Sequence, residues 1–316
     1  MRKALITSIV VLGAAVIGSS ALAENVHMAT GSQGGSWYPL GGAIKSAFEK
    51  ANPGLTMSIQ PGGGIANIVG VEAGKFPVGL ANSISTVDAT KGKAPFKSAV
   101  KNVCNVGVLY PQWFQIVVRA DSGITSIADF KGKVLTTQQK GHTGEQLTRE
   151  LLAIANLSYK DLDAVSHVSY NDSVNAMKNG NADVFTLGTA LPAGAIMDLA
   201  SAREVQLVAV PDDVIAGFQA KNAAFKKRIA KAGSYPGMDA DTPAITYDTH
   251  MIAACDYSAD NIAKILETVA DNLKTLSAVN RNLATLTVEE MASDLGVPYH
   301  PGAIKFYASR GVNVSN

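Results

Sequence analysis

Charge is scarce in this chain. Asp, Glu, Lys and Arg make up 17% of its 316 residues and nearly cancel, leaving a net +1. A near-neutral chain with few lysine or arginine clusters argues against nucleic acid as a partner. The one basic cluster, Lys226-Lys227-Arg228, is flanked by Phe225 and Ile229 and reads as the solvated side of a helix. Cysteine is rarer still. Cys104 and Cys255 cannot make a dense staple framework, and a chain of this length does not need one. Two buried free thiols are the simpler expectation. A disulfide stays open, because both residues lie at the ends of strands that the pattern places side by side.

Familiar catalytic signatures are missing too. The first glycine-rich loop lacks G-x-G-x-x-G spacing, and the second strand ends in Gln60-Pro61, where a dinucleotide site wants an acid. Neither a P-loop nor a G-x-S-x-G elbow occurs. The five histidines, His27, His142, His167, His250 and His300, show no metal-ligand spacing. No cofactor, no metal and no catalytic residue is expected. His27 and His167 fall in predicted strands and read as structural. Long apolar runs are absent apart from Ala4–Ile17, which is too short for a membrane span. With Arg2 and Lys3 before it and Ala21-Leu22-Ala23 after it, that run reads as a signal peptide over residues 1–23. Cleavage after Ala23 gives an exported, periplasmic chain, and the net charge becomes −1 as Arg2 and Lys3 leave.

What is present is a repeated strand-to-helix turn. In Thr30-Gly31-Ser32-Gln33-Gly34-Gly35-Ser36-Trp37-Tyr38-Pro39-Leu40, the residues Val26, Met28 and Thr30 alternate as a strand, and Leu40, Ile44 and Phe48 recur as a helix face. Ser36 is placed to cap that helix. The turn is either a plain connection or an anion site built on backbone N–H groups at a helix start. Strands at Leu55–Gln60 and Phe76–Leu80 follow, ending in Pro61-Gly62-Gly63-Gly64 and Ala81-Asn82-Ser83. Such alternation implies a parallel α/β sheet, whose ligands bind off the carboxyl ends of the strands.

Two further strands, Val103–Leu109 and Phe114–Arg119, flank Tyr110-Pro111-Gln112-Trp113, and at least one of Trp37 and Tyr38 is expected to pack inward. After Val134–Thr137 comes a second turn of the same kind, Gln138-Gln139-Lys140-Gly141-His142-Thr143-Gly144. Thr143 and Gln146 fit a capping box there. His142 either faces a ligand or is a solvated loop residue. Val165–Val168, Asp183–Leu187 ending in Gly188-Thr189-Ala190, and Val205–Val210 are strands, and Asn171 or Asp172 caps the helix between the first two. Residues 120–210 thus repeat the plan of 24–110, giving two lobes with a cleft between them. The divisions are lobe 1 with a hinge strand over 24–118, lobe 2 over 119–210, and a return strand with C-terminal helices over 211–316, packing mainly on lobe 1. In the tail, Ser258 caps a helix whose Ile262, Ile265, Leu266, Val269, Leu273 and Leu276 form a core stripe. A helix over 287–295 follows, then a loop and a short surface segment.

The order and spacing of Gly31–Gly42, Pro61–Gly64 with Asn67, Val78–Ser83, Leu109–Gln112, Ile127–Lys133, Gly180–Phe185 and Gly188–Pro192 resemble the TAXI-type solute-binding proteins of TRAP transporters. The resemblance implies a type II-like, two-lobed periplasmic binding protein, with hinge strands near 106–119 and 244–254. It implies closure on a solute, glutamate or a related dicarboxylate, and docking on a permease driven by an ion gradient. Where that family carries a Gly-Ser-Gly-Thr-like run, this chain has Gly141-His142-Thr143-Gly144. The expected cage is Ser32, Gln33, Gly34, Gly35, Ser36, Trp37, Gly63, Gly64, Asn82 and Tyr110 from the first lobe and hinge. Gly141, His142, Thr143, Gly188 and Thr189 complete it from the second. The protein is expected to act as a monomer and not as an enzyme. The alternatives are a periplasmic enzyme using His142 with Asp172 or Glu145, or a binding protein serving an ABC transporter or a sensor.

Overall fold

The computed structural model describes residues 25–316. The expected signal peptide and its cleavage point lie outside them. The first half alternates β1 (Asn25–Ala29), α1 (Trp37–Ala51), β2 (Thr56–Gln60), α2 (Gly64–Glu72), β3 (Val78–Asn82) and α3 (Ser83–Thr90), as the periodicity requires. Then β4 (Cys104–Arg119) leads to β5 (Val134–Thr137), α4 (Thr143–Ile154), β6 (Ala164–His167), α5 (Tyr170–Lys178), β7 (Val184–Thr189), α6 (Gly194–Ala200) and β8 (Val205–Leu207). The remainder is α7 (Asp212–Lys221), β9 (Lys226–Ala230), β10 (Thr242–Ala253), α8 (Ala259–Asp271), α9 (Leu273–Leu276), α10 (Val288–Met291) and α11 (Pro301–Ser309).

The strands run in the order β2-β1-β3-β10-β4-β7-β5-β6, with β8 on β4 and β9 on β10. Parallel strands lie at both ends, and two long antiparallel strands, β4 and β10, join them. The two strands expected around Tyr110–Trp113 are therefore one. Pro111 sits opposite Asp248 within it, and the pairing register shifts just beside it, between Thr249 and His250. A bulge there lets a residue without an N–H stay in a central strand.

Four apolar cores form. Val26, Leu40, Ile44 and Phe48 pack with Ile262, Ile265, Leu266, Val269 and Leu276, so the tail stripe is core as expected, and Leu273 lies partly buried against it. Ile68, Val71 and Phe76 pack with Val103 and Ile252 on the same half of the sheet. Leu135, Leu147 and Leu151 make another core, joined by Val214, Ile215 and Phe218 of α7 and by Ile84 of α3. Val174, Phe185, Leu187 and Ile196 make the fourth, around α5, α6 and β7.

Several local expectations are corrected. Lys226-Lys227-Arg228 belongs to β9, a strand whose basic, mostly exposed residues pair with β10 on one side only. Charged residues on an exposed strand edge discourage pairing with another chain. The chain does end in a short, mostly exposed segment, residues 310–316, but a helix precedes it that was not expected. α11 buries Ala303, Phe306 and Tyr307, and the Tyr307 hydroxyl donates to the Val106 carbonyl (3.0 Å). The helix expected over 287–295 is only α10, held by a capping box of Thr287 and Glu290. Ser169, not Asn171 or Asp172, caps α5. Cys104 and Cys255 are joined in a disulfide, their Cα atoms 5.1 Å apart, because Cys104 pairs with Ala253 at the end of β10.

Candidate functional site

The carboxyl ends of β1, β2, β3, β5 and β7 meet around one narrow cavity of about 20 Å³, where the two halves of the sheet face each other. The first half contributes Gly31, Ser32, Gly35, Ser36 and Trp37 after β1, Gly63 and Gly64 after β2, and Asn82 at the end of β3. The second half contributes Gln138, Thr143, Gly144, Tyr170, Gly188 and Thr189. Gln112 of β4 and Tyr247 of β10 form its floor. Among the described residues that line it, none carries a formal charge.

Four helices begin at this cavity, and none is capped by the side chain of the residue before it, although in α4 Gln138 Oε1 accepts from the first-turn Gly144 N–H (2.9 Å). Ser36, Gly63, Asn82 and His142 precede α1, α2, α3 and α4 without a side-chain capping bond. The expected roles of Ser36 as a cap and of Thr143 with Gln146 as a capping box are thus overturned. The Ser36 hydroxyl turns instead to the Tyr110 hydroxyl, 3.0 Å away. Thr143 opens α4 and shares a hydrogen bond with Ser85 (3.1 Å), while the Gln146 amide donates to Glu150 (2.8 Å). The first N–H groups of a helix need an outside partner, and the positive end of the dipole favours an anionic one.

Close backbone approach explains the glycines. A Cβ on Gly63 would overlap the His142 ring, and one on Gly64 would overlap Thr143 and Asn82. A Cβ on Gly188 would overlap the Tyr247 hydroxyl. Tyr170 holds that strand end from the other side, donating to the Gly188 carbonyl (2.9 Å) and accepting from its N–H (3.1 Å). Asn67, buried on α2, ties the first-half turns together. It donates to the carbonyls of Thr30 and Leu80 (2.7 Å each) and accepts from Gly63 N–H (3.2 Å).

The halves touch across the cavity. Ser36 N–H donates to Thr189 Oγ1 (3.1 Å), and Gln138 Nε2 donates to Ser32 Oγ (3.4 Å). Trp37 is buried, so the expected inward aromatic is this one, and its indole N–H donates to Thr249 Oγ1 (3.1 Å). Burial pushes the phenols of Tyr110, Tyr170 and Tyr247 well above their ordinary range, so they stay neutral.

Of the residues expected in the cage, Ser32, Gly35, Ser36, Trp37, Gly63, Gly64, Asn82, Thr143, Gly188 and Thr189 line the cavity. The others do not. Gln33 is exposed, and Gly34 lies at the outer mouth beside Asn171. Tyr110 stands behind Ser36, and Gly141 faces open space at φ +86°. His142 packs on Gly63 across the gap, its Nδ1 buried without a hydrogen-bond partner and its pKa lowered by burial. It makes no hydrogen bond to Glu145 or Asp172. Glu145 pairs with Arg149 (3.0 Å), and Asp172 accepts from Ser169 (2.6 Å). Gly31, Gln112, Gln138, Gly144, Tyr170 and Tyr247 line the cavity without having been expected there. Gln112, Gln138 and Gly144 lay within turns the sequence had marked. Tyr170 and Tyr247 gave no signal, since an aromatic in an apolar pattern reads as core.

Among the described residues, no cluster of His, Cys, Asp and Glu could hold a metal, and no helix is long and apolar enough to cross a membrane. A family model described as the NMT1-like family matches residues 28–311. Among solved structures, one similar chain is a provisionally assigned L-cystine ABC transporter protein of Listeria monocytogenes. The TM-score is 0.53 at 14% identity, over 83% of this chain and 97% of that one. Another comes from work on glutathione import through GshT and the cystine ABC importer TcyBC of Streptococcus mutans, with TM-score 0.51, 14% identity, and 83% and 95% covered. A Bordetella bronchiseptica RB50 protein gives TM-score 0.52 at 16% identity, with 90% and 81% covered. At these identities the likeness is one of fold, an α/β sheet flanked by helices.

Proposed function

The chain belongs to the NMT1-like family, and from that premise we propose that it is an exported solute-binding protein. It clamps a small organic anion between two lobes and hands it to a membrane transporter. One observation carries the reading: four helix starts, none capped by the residue before it, converge on a neutral cavity between two halves of a sheet. An anion there can accept from first-turn N–H groups that no helical carbonyl reaches. The moving units divide near Tyr110–Gln112 on β4 and Asp248–Thr249 on β10, where the pairing passes from one half of the sheet to the other. The solute leaves unchanged, since the serine and threonine hydroxyls at the cavity bond to Tyr110, Ser85, Gln138 and one another and not to a histidine or carboxylate. The signal peptide read at residues 1–23 supplies export.

Two transporter classes compete. The similar folds whose names assign a transporter belong to ABC systems, which supports an ATP-driven partner. The glycine-rich motifs resemble TAXI proteins, which supports a TRAP permease. Solute uptake into membrane vesicles carrying the cognate transporter, with and without this protein, separates them. Stimulation that needs ATP and stops with orthovanadate is the outcome expected for the ABC reading. Stimulation that follows a sodium gradient instead identifies the TRAP reading. Uptake indifferent to the protein contradicts delivery altogether.

A further inference from the structure

The solute-binding reading, on which the following rests, does not say what the solute carries besides negative charge. Two side chains do. Gln112 and Asn82 line the cavity and are 1% and 5% exposed. The Gln112 amide donates to Thr249 Oγ1 (2.7 Å), which leaves its Oε1 without a partner. Asn82 precedes α3 but makes no capping bond, and its Oδ1 is also buried and unpaired. A buried acceptor left without a donor is costly, so a bound solute is favoured if it brings an O–H or N–H.

An ionised carboxylate only accepts, so a plain dicarboxylate leaves both oxygens unpaired. An ammonium donates, but it arrives as a cation. No carboxylate lines the cavity to neutralise it, and the helix starts that face it present their positive ends. A hydroxyl donates without charge. We infer that the solute is a hydroxycarboxylate, its carboxylate on the helix starts and its one hydroxyl proton donated to Gln112 Oε1.

Calorimetric titration of the mature chain with three matched sets tests this. The sets are propionate, lactate and alanine; succinate, malate and aspartate; and glutarate, 2-hydroxyglutarate and glutamate. In whichever set binds, the hydroxy acid is expected to bind about tenfold or more tighter than the deoxy and amino acids. Gln112→Met should erase that preference. Asn82→Asp, which adds a carboxylate, should move the ratio towards the amino acid. An amino or deoxy acid binding as tightly as its hydroxy partner overturns the inference, and so does an unchanged ratio in both folded variants. Failure of all nine compounds overturns it too. The broader reading is judged separately, by mass spectrometry of protein incubated with a cell extract. A small molecule retained by the folded chain and lost on denaturation upholds solute binding, and none retained counts against it.

Discussion

At the scale of single residues, the site is made by what is left out. Gly63 has room for no side chain, because His142 from the opposite half lies where its Cβ would go. In Gly63→Ala the imidazole must shift or the halves must stay apart. Overpacking of this kind costs roughly 1–3 kcal/mol, so solute binding should weaken about tenfold or more while the circular dichroism spectrum is unchanged. His250 is a different case, buried away from the cavity. Its Nδ1 is 2.9 Å from Asn105 Oδ1 and its Nε2 2.8 Å from Thr86 Oγ1, and burial lowers its pKa to about 3. The folded chain keeps this ring neutral, whereas the unfolded chain protonates it below about pH 6.5. Stability is therefore unaffected above that pH. It falls as the pH drops towards 3, by about 4–5 kcal/mol in all from this one group. Urea midpoints measured from pH 7 to 4 should decline. In His250→Gln the decline should be shallower by up to one proton's worth, and an equally steep decline contradicts the assignment. The site glycines, Asn82 and Thr189 were legible in the sequence because they sit where predicted strands end. Tyr247 was not, since nothing local distinguishes a cavity floor from a core.

At the scale of elements, β4 and β10 bind the molecule together, and the disulfide fastens one end of that pair. Cys104 and Cys255 are 151 residues apart in sequence, so the bond closes a long loop. Replacing both with alanine should cost about 2–4 kcal/mol, chiefly by freeing the unfolded chain. A lowered urea midpoint, matched by reduced wild-type protein, is the expected result, and an unchanged midpoint contradicts it. The sequence set these cysteines at neighbouring strand ends but favoured free thiols, and the bond overturns that, because only the register settles the distance. Elements with a strong local period, such as α1, α4 and α8, read correctly. The short ones did not. Phe225-Lys226-Lys227-Arg228-Ile229 is too brief for its period to tell strand from helix, and pairing with β10 decided it. α11 was missed because Pro301-Gly302 reads as a turn, although proline is well suited to the first turn of a helix. Its burial depends on Val106 and Ile262, far away in sequence.

At the scale of the whole molecule, the halves meet at the cavity through neutral polar contacts, Ser36 with Thr189, Ser32 with Gln138 and Ser85 with Thr143, with Ile84 of α3 packed into the second half's core beside them. Such polar contacts separate at little cost, which suits a site that a solute must enter and leave. The two-lobed plan was legible because the strand–turn–helix pattern occurs twice. Within residues 211–316, α7 packs with Leu147 and Leu151 of the second half. A chain segment that crosses between halves carries no local mark of the side it joins. The central claim is that the shared cavity clamps a small organic anion, and a thermal-shift screen of organic acids on wild type and Gly63→Ala tests it most directly. The account predicts that at least one acid raises the wild-type melting temperature in proportion to its concentration, with a clearly smaller rise in the variant. No rise with any acid, or an equal rise in both proteins, would contradict it.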